Sequence, residues 1–323
     1  MIKIISNRGS SSHVSMDTVN EFIKVIISSE MDNVIVCNNS DLIIKIANRL
    51  HNMSRTLKIA NFIVPQKNHQ SKKDKIYIAI LMGADLRVCL PNFYSNASKN
   101  IYLFDAWLET HKTIIDFVND FKVDNVFVSS SDVVEQLKKY ETDTKFHWIP
   151  EGISPDDYEY SDYKDKNIDV LQIGRKHDKY HNEIVDNLLK LNKTYLFEKK
   201  KGELIFPTRE SFIKGLAASK ISICFPSSIT HPDRTKGIET MTIRYLQSMA
   251  SKCLIVGKAP REMIELFGYN PVIKVDTSNP SGQIADILDN YENFIPLVEK
   301  NYSNLINHKW SNRWKDMKKV ILS

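Results

Sequence analysis

A chain of 323 residues exceeds one ordinary core and suits two, since single domains tend to run to roughly 100–200 residues. Its 42% hydrophobic content excludes a disordered chain. No segment approaches the run of about 20 apolar residues that a bilayer span requires, and the N-terminus lacks a charged-then-apolar leader. The 44 Lys and Arg against 39 Asp and Glu give a net charge of +5, which favours anionic partners, whether a phosphorylated small molecule or an anionic membrane surface, without demanding nucleic acid.

In chain order, short apolar runs alternate with amphipathic segments. "IKIIS" precedes a predicted helix over Val14–Glu30, and "NVIVCN" precedes one over Leu42–His51. The runs "KIYIAIL", "LRVCLP" and "NIYLFDAW" follow as strands, then a helix over His111–Phe121, "NVFVSS", a helix over Asp132–Tyr140, and "KFHWIP". Continuous apolar runs between helices are what a parallel sheet covered on both faces requires. A doubly wound α/β domain is therefore expected over residues 1–153.

Between Glu151 and Asn167 the aliphatics thin out into "EGISPDDYEYSDYKDKN", which reads as the linker. The pattern then restarts with "IDVLQIG", a helix over His181–Leu191, "TYLFEKK", a helix over Arg209–Ala218, "KISICFP", a helix opening near Thr240, "KCLIVG", a helix over Pro260–Phe267, and "PVIKV". This places a second doubly wound domain over residues 168–305. A last helix over 306–323 carries Trp310, Trp314 and Met317 on one face. Four cysteines, Cys37, Cys89, Cys224 and Cys253, each sit inside an apolar run and read as small core residues in a reducing compartment, since none has metal-ligand or Cys-x-x-Cys spacing. The adjacent acids of "SPDDY" read as a solvated turn, so no metal site is expected.

Two such domains define a cleft at the carboxyl ends of their strands. The turn "IGRKHDK" puts Gly174 where backbone can approach a ligand and follows it with Arg175 and Lys176, two cations suited to a diphosphate or, equally, to a solvated basic turn. The stretch "IETMTIRYLQSMASKCLIVG" offers a helix N-terminus for phosphate, with Thr240, Arg244 and Gln247 on the side away from its apolar stripe. Glu239, an acid among cations, would face what the phosphates are attached to, such as a sugar hydroxyl. In the first domain Asp105 ends a strand, followed by Trp107 and His111; Asp105 is a candidate for an acceptor-side base or sugar contact, or for a helix cap. The turn "SNRGSSSH" would bring Gly9, Ser10 and His13 to the cleft, or would simply cap the next helix.

These stretches together resemble GT-B glycosyltransferases, particularly family 4-like retaining enzymes and the related spore-maturation CgeB-like group. "IRYLQSMASKCLIVG" is similar to their R-x-x-E-x-(M/L)-A run, "FHWIPEGISPDDY" to their interdomain I-P-N-G-V-D segment, and "HKWSNRW" to their C-terminal helix, which crosses back to the first domain. In that family a Glu near this helix contacts the donor sugar, and a second Glu eight positions on holds the nucleotide ribose. Glu239 keeps the first position; Gln247 replaces the second, and Lys252 stands where a Gly is usual. The resemblance implies two Rossmann-like domains facing a cleft, a nucleoside-diphosphate sugar donor on the second, and a saccharide or lipid-linked acceptor on the first. It further implies transfer with retention, without metal ion or cofactor, at surface polysaccharide or glycoconjugate synthesis in the cytoplasm or at the inner face of the membrane. Glu239 and Asp105 are then the catalytic candidates, and Gly174, Arg175, Lys176, Thr240, Arg244, Gln247, Gly9, Ser10, His13 and His111 the substrate-binding ones. A nucleotide-sugar epimerase of the same fold and a degenerate, non-catalytic transferase stay open as alternatives.

Overall fold

The computed structural model describes residues 1–6, 16–57, 75–174, 176–200 and 202–323. Gly9, Ser10, His13 and Arg175 lie outside these residues. The chain forms two compact units, one of residues 1–11, 19–150 and 313–323, the other of residues 12–18 and 151–312.

The first unit holds a six-stranded sheet of β1 (Ile2–Ser6), β2 (Val34–Cys37), β3 (Ile76–Met82), β4 (Ser98–Phe104), β5 (Asn125–Val128) and β6 (Lys145–Trp148), in the order β2-β1-β3-β4-β5-β6. Every neighbouring pair is parallel. β4 is buried along its whole length and β3 at all but its last residue, the signature of central strands covered on both faces. "LRVCLP" is not a strand. Gly83, at φ 73°, turns the chain out of β3, and the run forms a 3-10 turn over Leu86–Cys89 that continues into a one-turn helix, Leu90–Phe93. Its buried residues Leu86, Cys89, Leu90 and Phe93 recur at helical spacing, and the fixed φ of Pro91 suits the first turn of a helix. Cys89 is buried there all the same.

The second unit holds β7 (Ile168–Gln172), β8 (Tyr195–Phe197), β9 (Ser219–Cys224), β10 (Leu254–Gly257) and the two-residue β11 (Ile273–Lys274), all parallel, in the order β11-β10-β9-β7-β8. Side chains alternate between its faces as a period of two dictates. Val170, Ile221, Ile223, Leu254 and Val256 enter one core, while Leu171, Cys224 and Ile255 enter the other, beneath the helix Ile243–Ala250. That helix contributes Tyr245, Leu246, Met249 and Ala250 to the second core, all at 1% exposure or less. Each large apolar side chain so buried contributes roughly 1.5–3 kcal/mol. β9 and β10 approach so closely at their ends that a Cβ on Gly257 would meet the Cys224 carbonyl oxygen at 1.8 Å, so no other residue fits there.

The last helix, Trp310–Leu322, buries Trp310, Trp314 and Met317. Within the first unit, Trp314 Nε1 and Lys318 Nζ both donate to the Glu30 carboxylate, at 2.8 and 2.7 Å. The four cysteines are free thiols, three buried and Cys37 half-buried.

Candidate donor site on the second unit

β7 leads to β8 on one side, and the chain then returns to lay β9 on the other side of β7. Connections therefore diverge at the β7/β9 boundary, the switch point outside whose carboxyl ends parallel α/β sheets bind ligands. Gly174 lies two residues past β7, with φ 71°, a left-handed conformation that glycine adopts without a steric cost. The Arg244 side chain lies directly against it: a Cβ on Gly174 would stand 2.9 Å from Arg244 Nη2. Among the described residues the Arg244 guanidinium makes no hydrogen bond or ion pair. Its charge is felt at the end of β9, where burial pushes the Cys224 thiol up and Arg244 acts against that shift. A guanidinium with no such partner among the described residues, set against a glycine, is equipped to receive an anion.

The helix itself starts later than its sequence implies. Thr242 is the N-cap, and the first helical residue is Ile243. Glu239 and Thr240 thus precede the helix rather than opening it. The first backbone N–H is also taken, because Ile243 N donates to Glu151 Oε2 at 2.9 Å. The same oxygen accepts from Thr18 Oγ1 at 3.0 Å, and Glu151 is buried. A carboxylate at a helix start satisfies an orphan donor and the helix dipole together. Glu151 therefore occupies the place that was expected for phosphate, and sequence reading missed it because the position lies ninety-two residues upstream.

Glu239 is mostly buried. One of its carboxylate oxygens pairs with Lys258 Nζ at 2.5 Å and faces Ser228 Oγ at 3.5 Å; the other accepts from Arg261 N at 3.1 Å, at the start of the helix Arg261–Phe267. Lys258 directly follows β10, so these groups stand at the carboxyl end of the same sheet. Thr240 is buried, and the next residue, Met241, donates its N–H to the buried Glu262. Gln247 is 5% exposed, and its Nε2 donates to Tyr158 OH at 3.0 Å. Tyr158 in turn lies beneath Arg209, whose guanidinium pairs with Asp17 at 2.9 Å. Lys176 turns to the end of β8, donating to the Glu198 carbonyl at 3.1 Å with its ammonium 5.0 Å over the Phe197 ring. The structure thus brings Gly174 and Arg244 together, and aims Lys176 and Gln247 at other protein groups.

Lys252 adopts φ 51° just after the helix Ile243–Ala250, the left-handed position that glycine usually fills at a helix end. Its ammonium is held by both oxygens of Glu299, at 2.8 and 2.9 Å, and lies 4.3 Å over the Tyr160 ring and 4.8 Å over Tyr302.

In the first unit, Asp105 follows β4 with φ 51°, unusual for a residue with a side chain. The cap positions of the next two helical segments are Trp107 and Thr110, neither with a side-chain cap bond. His111 is fully buried. Its Nε2–H donates to the Ala106 carbonyl at 3.1 Å, which leaves Nδ1 as the lone-pair nitrogen, and no hydrogen-bond partner for it occurs among the described residues. Burial holds the His111 pKa below the usual imidazole value. Among the described residues no group of three or more His, Cys, Asp or Glu could hold a metal ion, and no helix is long and apolar enough to cross a membrane.

No family model and no curated protein sequence matches the chain. Solved structures do. The glycosyltransferase of Rickettsia africae ESF-5 is similar over 100% of this chain and 98% of its own, with a TM-score of 0.55 at 15% identity. Alr3699/HepE of Anabaena, in complex with UDP-glucose, is similar over 99% of both chains, with a TM-score of 0.61 at 9% identity. The UDP-forming α,α-trehalose-phosphate synthase of Burkholderia vietnamiensis covers 99% of both, with a TM-score of 0.55 at 10% identity. These are GT-B glycosyltransferases, and the two parallel-sheet α/β domains of this chain have the GT-B fold.

Proposed function

We propose that the chain is a glycosyltransferase that takes a sugar from a nucleoside-diphosphate donor bound on its second unit. One observation carries the reading: the Arg244 guanidinium, without a hydrogen bond or ion pair among the described residues, lies against Gly174 at the sheet's switch point. Departure of a nucleoside diphosphate builds negative charge, and a cation fixed before the reaction meets that charge without reorganising. Arg244 and the backbone of the Gly174 turn supply this stabilisation, and in the proposal they do so without a metal ion. The UDP-glucose held by the Anabaena relative makes a uridine donor the first to try.

Glu239, pinned by Lys258 and Arg261 N at the carboxyl end of the sheet, is the sugar-facing acid of the proposal, and retention of configuration goes with it. Asp105 and His111 are the acceptor-side candidates on the first unit, and a saccharide or lipid-linked acceptor in surface polysaccharide or glycoconjugate synthesis is the substrate class proposed. The experiment is calorimetric titration of UDP into wild type and Arg244→Ala, followed by incubation with UDP-glucose. Saturable binding lost in the variant supports the donor site; equal binding by both proteins removes it.

A second reading is favoured by one specific observation. Gln247 spends its amide on Tyr158, and both Glu239 oxygens are engaged by protein groups. A nucleotide-binding protein without transfer activity fits that arrangement, and donor turnover separates the two.

A further inference from the structure

The helix Asp41–Thr56 is turned against its own amphipathicity. Its inward face is largely polar: His51 and Ser54 are the buried residues, with His51 Nδ1 paired to Tyr94 OH at 3.1 Å, Nε2 3.4 Å from Asp120, and its ring 5.0 Å from Phe121. Ile44 and Ala47 are half-buried beside them, but the larger share of its apolar residues points outward. Ile43, Ile46, Leu50, Met53 and Leu57 follow one another at spacings of three and four, a single stripe along the helix, and are 50%, 48%, 59%, 59% and 63% exposed. Leu42 extends it at 67%. Such side chains forgo the gain of burial while they stand in water, and a continuous exposed apolar stripe is the mark of an interaction surface.

The charges beside the stripe choose among partners. Lys45 and Arg49, exposed and one turn apart, flank it, and Asp41 is the helix's one acid. A second copy of the chain would bring like charges together along the seam. An anionic lipid surface meets both features at once, with the apolar stripe entering the acyl boundary and the cations resting on the headgroups. At sixteen residues with charges throughout, the helix is too short and too polar to span, which leaves it lying in the interface plane.

We propose that the outward face of the helix Asp41–Thr56 docks the protein on an anionic membrane surface. The inference stands apart from the donor reading, because its residues all lie in the first unit.

Co-sedimentation of the full chain with vesicles tests it, using phosphatidylcholine alone and an equal mixture of phosphatidylcholine and phosphatidylglycerol. Wild type should sediment with the mixed vesicles and not with the neutral ones, and binding should fall as salt is raised. The double variant Ile46→Glu/Leu50→Glu, at exposed positions that leave the fold intact, should bind at least about tenfold more weakly. Lys45→Glu/Arg49→Glu, which keeps the stripe, should also lose the preference for phosphatidylglycerol. Failure of wild type to bind the mixed vesicles, or binding at the wild-type level by both double variants, overturns the proposal. A wild-type dimer that Ile46→Glu/Leu50→Glu splits, without vesicle binding by either protein, overturns it in favour of a second copy. UDP titration of the same variants keeps the outcome separate from the donor site.

Discussion

The guanidinium of Arg244 and the α-carbon of Gly174 are so close that a single added methyl group would sit 2.9 Å from Nη2. Gly174→Ala therefore acts twice: it strains a left-handed backbone and displaces the cation that rests on it. Both Gly174→Ala and Arg244→Ala should weaken UDP binding, Arg244→Ala by about 1.5–3 kcal/mol for a lost charge-assisted bond. Calorimetry reads both, and an unaltered affinity in each refutes the assignment.

Glu151 makes an opposite prediction. Its carboxylate holds the Ile243 N–H, next in the chain to Arg244, and so places a negative charge at the start of the helix. Glu151→Gln keeps an acceptor oxygen for that N–H while removing the charge. The melting temperature should fall, by about 1 kcal/mol in stability for the lost interaction with the helix dipole, and UDP affinity should rise as repulsion is relieved. A drop in affinity would show instead that Glu151 shapes the site.

For Glu239, the test is the split between stability and turnover. Its pair with Lys258 is part-exposed, so Glu239→Gln should change stability by no more than about 1 kcal/mol. If the carboxylate acts in the transition state, turnover of UDP-glucose should fall roughly a hundredfold while UDP affinity holds. Turnover within a few fold of wild type would leave Glu239 as an N-terminal tether for the helix Arg261–Phe267 and nothing more.

Acid should destabilise the protein. Burial is the leading cause of lowered pKa values at His111, His147 and His181. For each, the folded value lies below the unfolded one near 6.5, so on acidification the unfolded chain takes up the proton first. Stability should therefore be complete above that value and should fall as pH drops through it toward the folded pKa. Melting temperatures between pH 7.5 and 5.5 should decline, and His111→Phe should flatten the slope; a slope unchanged in His111→Phe, His147→Phe and His181→Phe together would refute the cause.

Much of the architecture was legible because burial leaves a plain mark. Runs such as "KIYIAIL" and "KISICFP" carry apolar residues on both faces, and both became parallel strands. "LRVCLP" carries the same mark and is no strand: its buried residues Leu86, Cys89 and Leu90, with Phe93 beyond, recur at helical spacing, which a short apolar run does not distinguish from a strand. At the site, Gly174 and Arg244 stood out by residue type, and the fold brought them together. Gln247 was read onto a polar face by helical period alone, but that helix is enclosed on nearly every side, and Tyr158 meets the amide from a segment eighty-nine residues away. Glu151 gave no local signal either, since its partner Ile243 is an N–H that any sequence would supply.

Lys252 couples a backbone conformation to contacts made far along the chain. Left-handed backbone costs a residue with a side chain roughly 1 kcal/mol relative to glycine, and here the Glu299 carboxylate and the Tyr160 and Tyr302 rings offset it. The exchange is order-dependent: a lysine arriving before its acid and its rings is a burden, and one arriving after them is tolerated. Glycine should accordingly be the better residue in a Glu299→Ala background and an indifferent one in wild type, a sign of epistasis that a double-mutant cycle of melting temperatures would register. Lys252→Gly is then no free step in this chain, which keeps the left-handed turn and holds it by the lysine's own contacts.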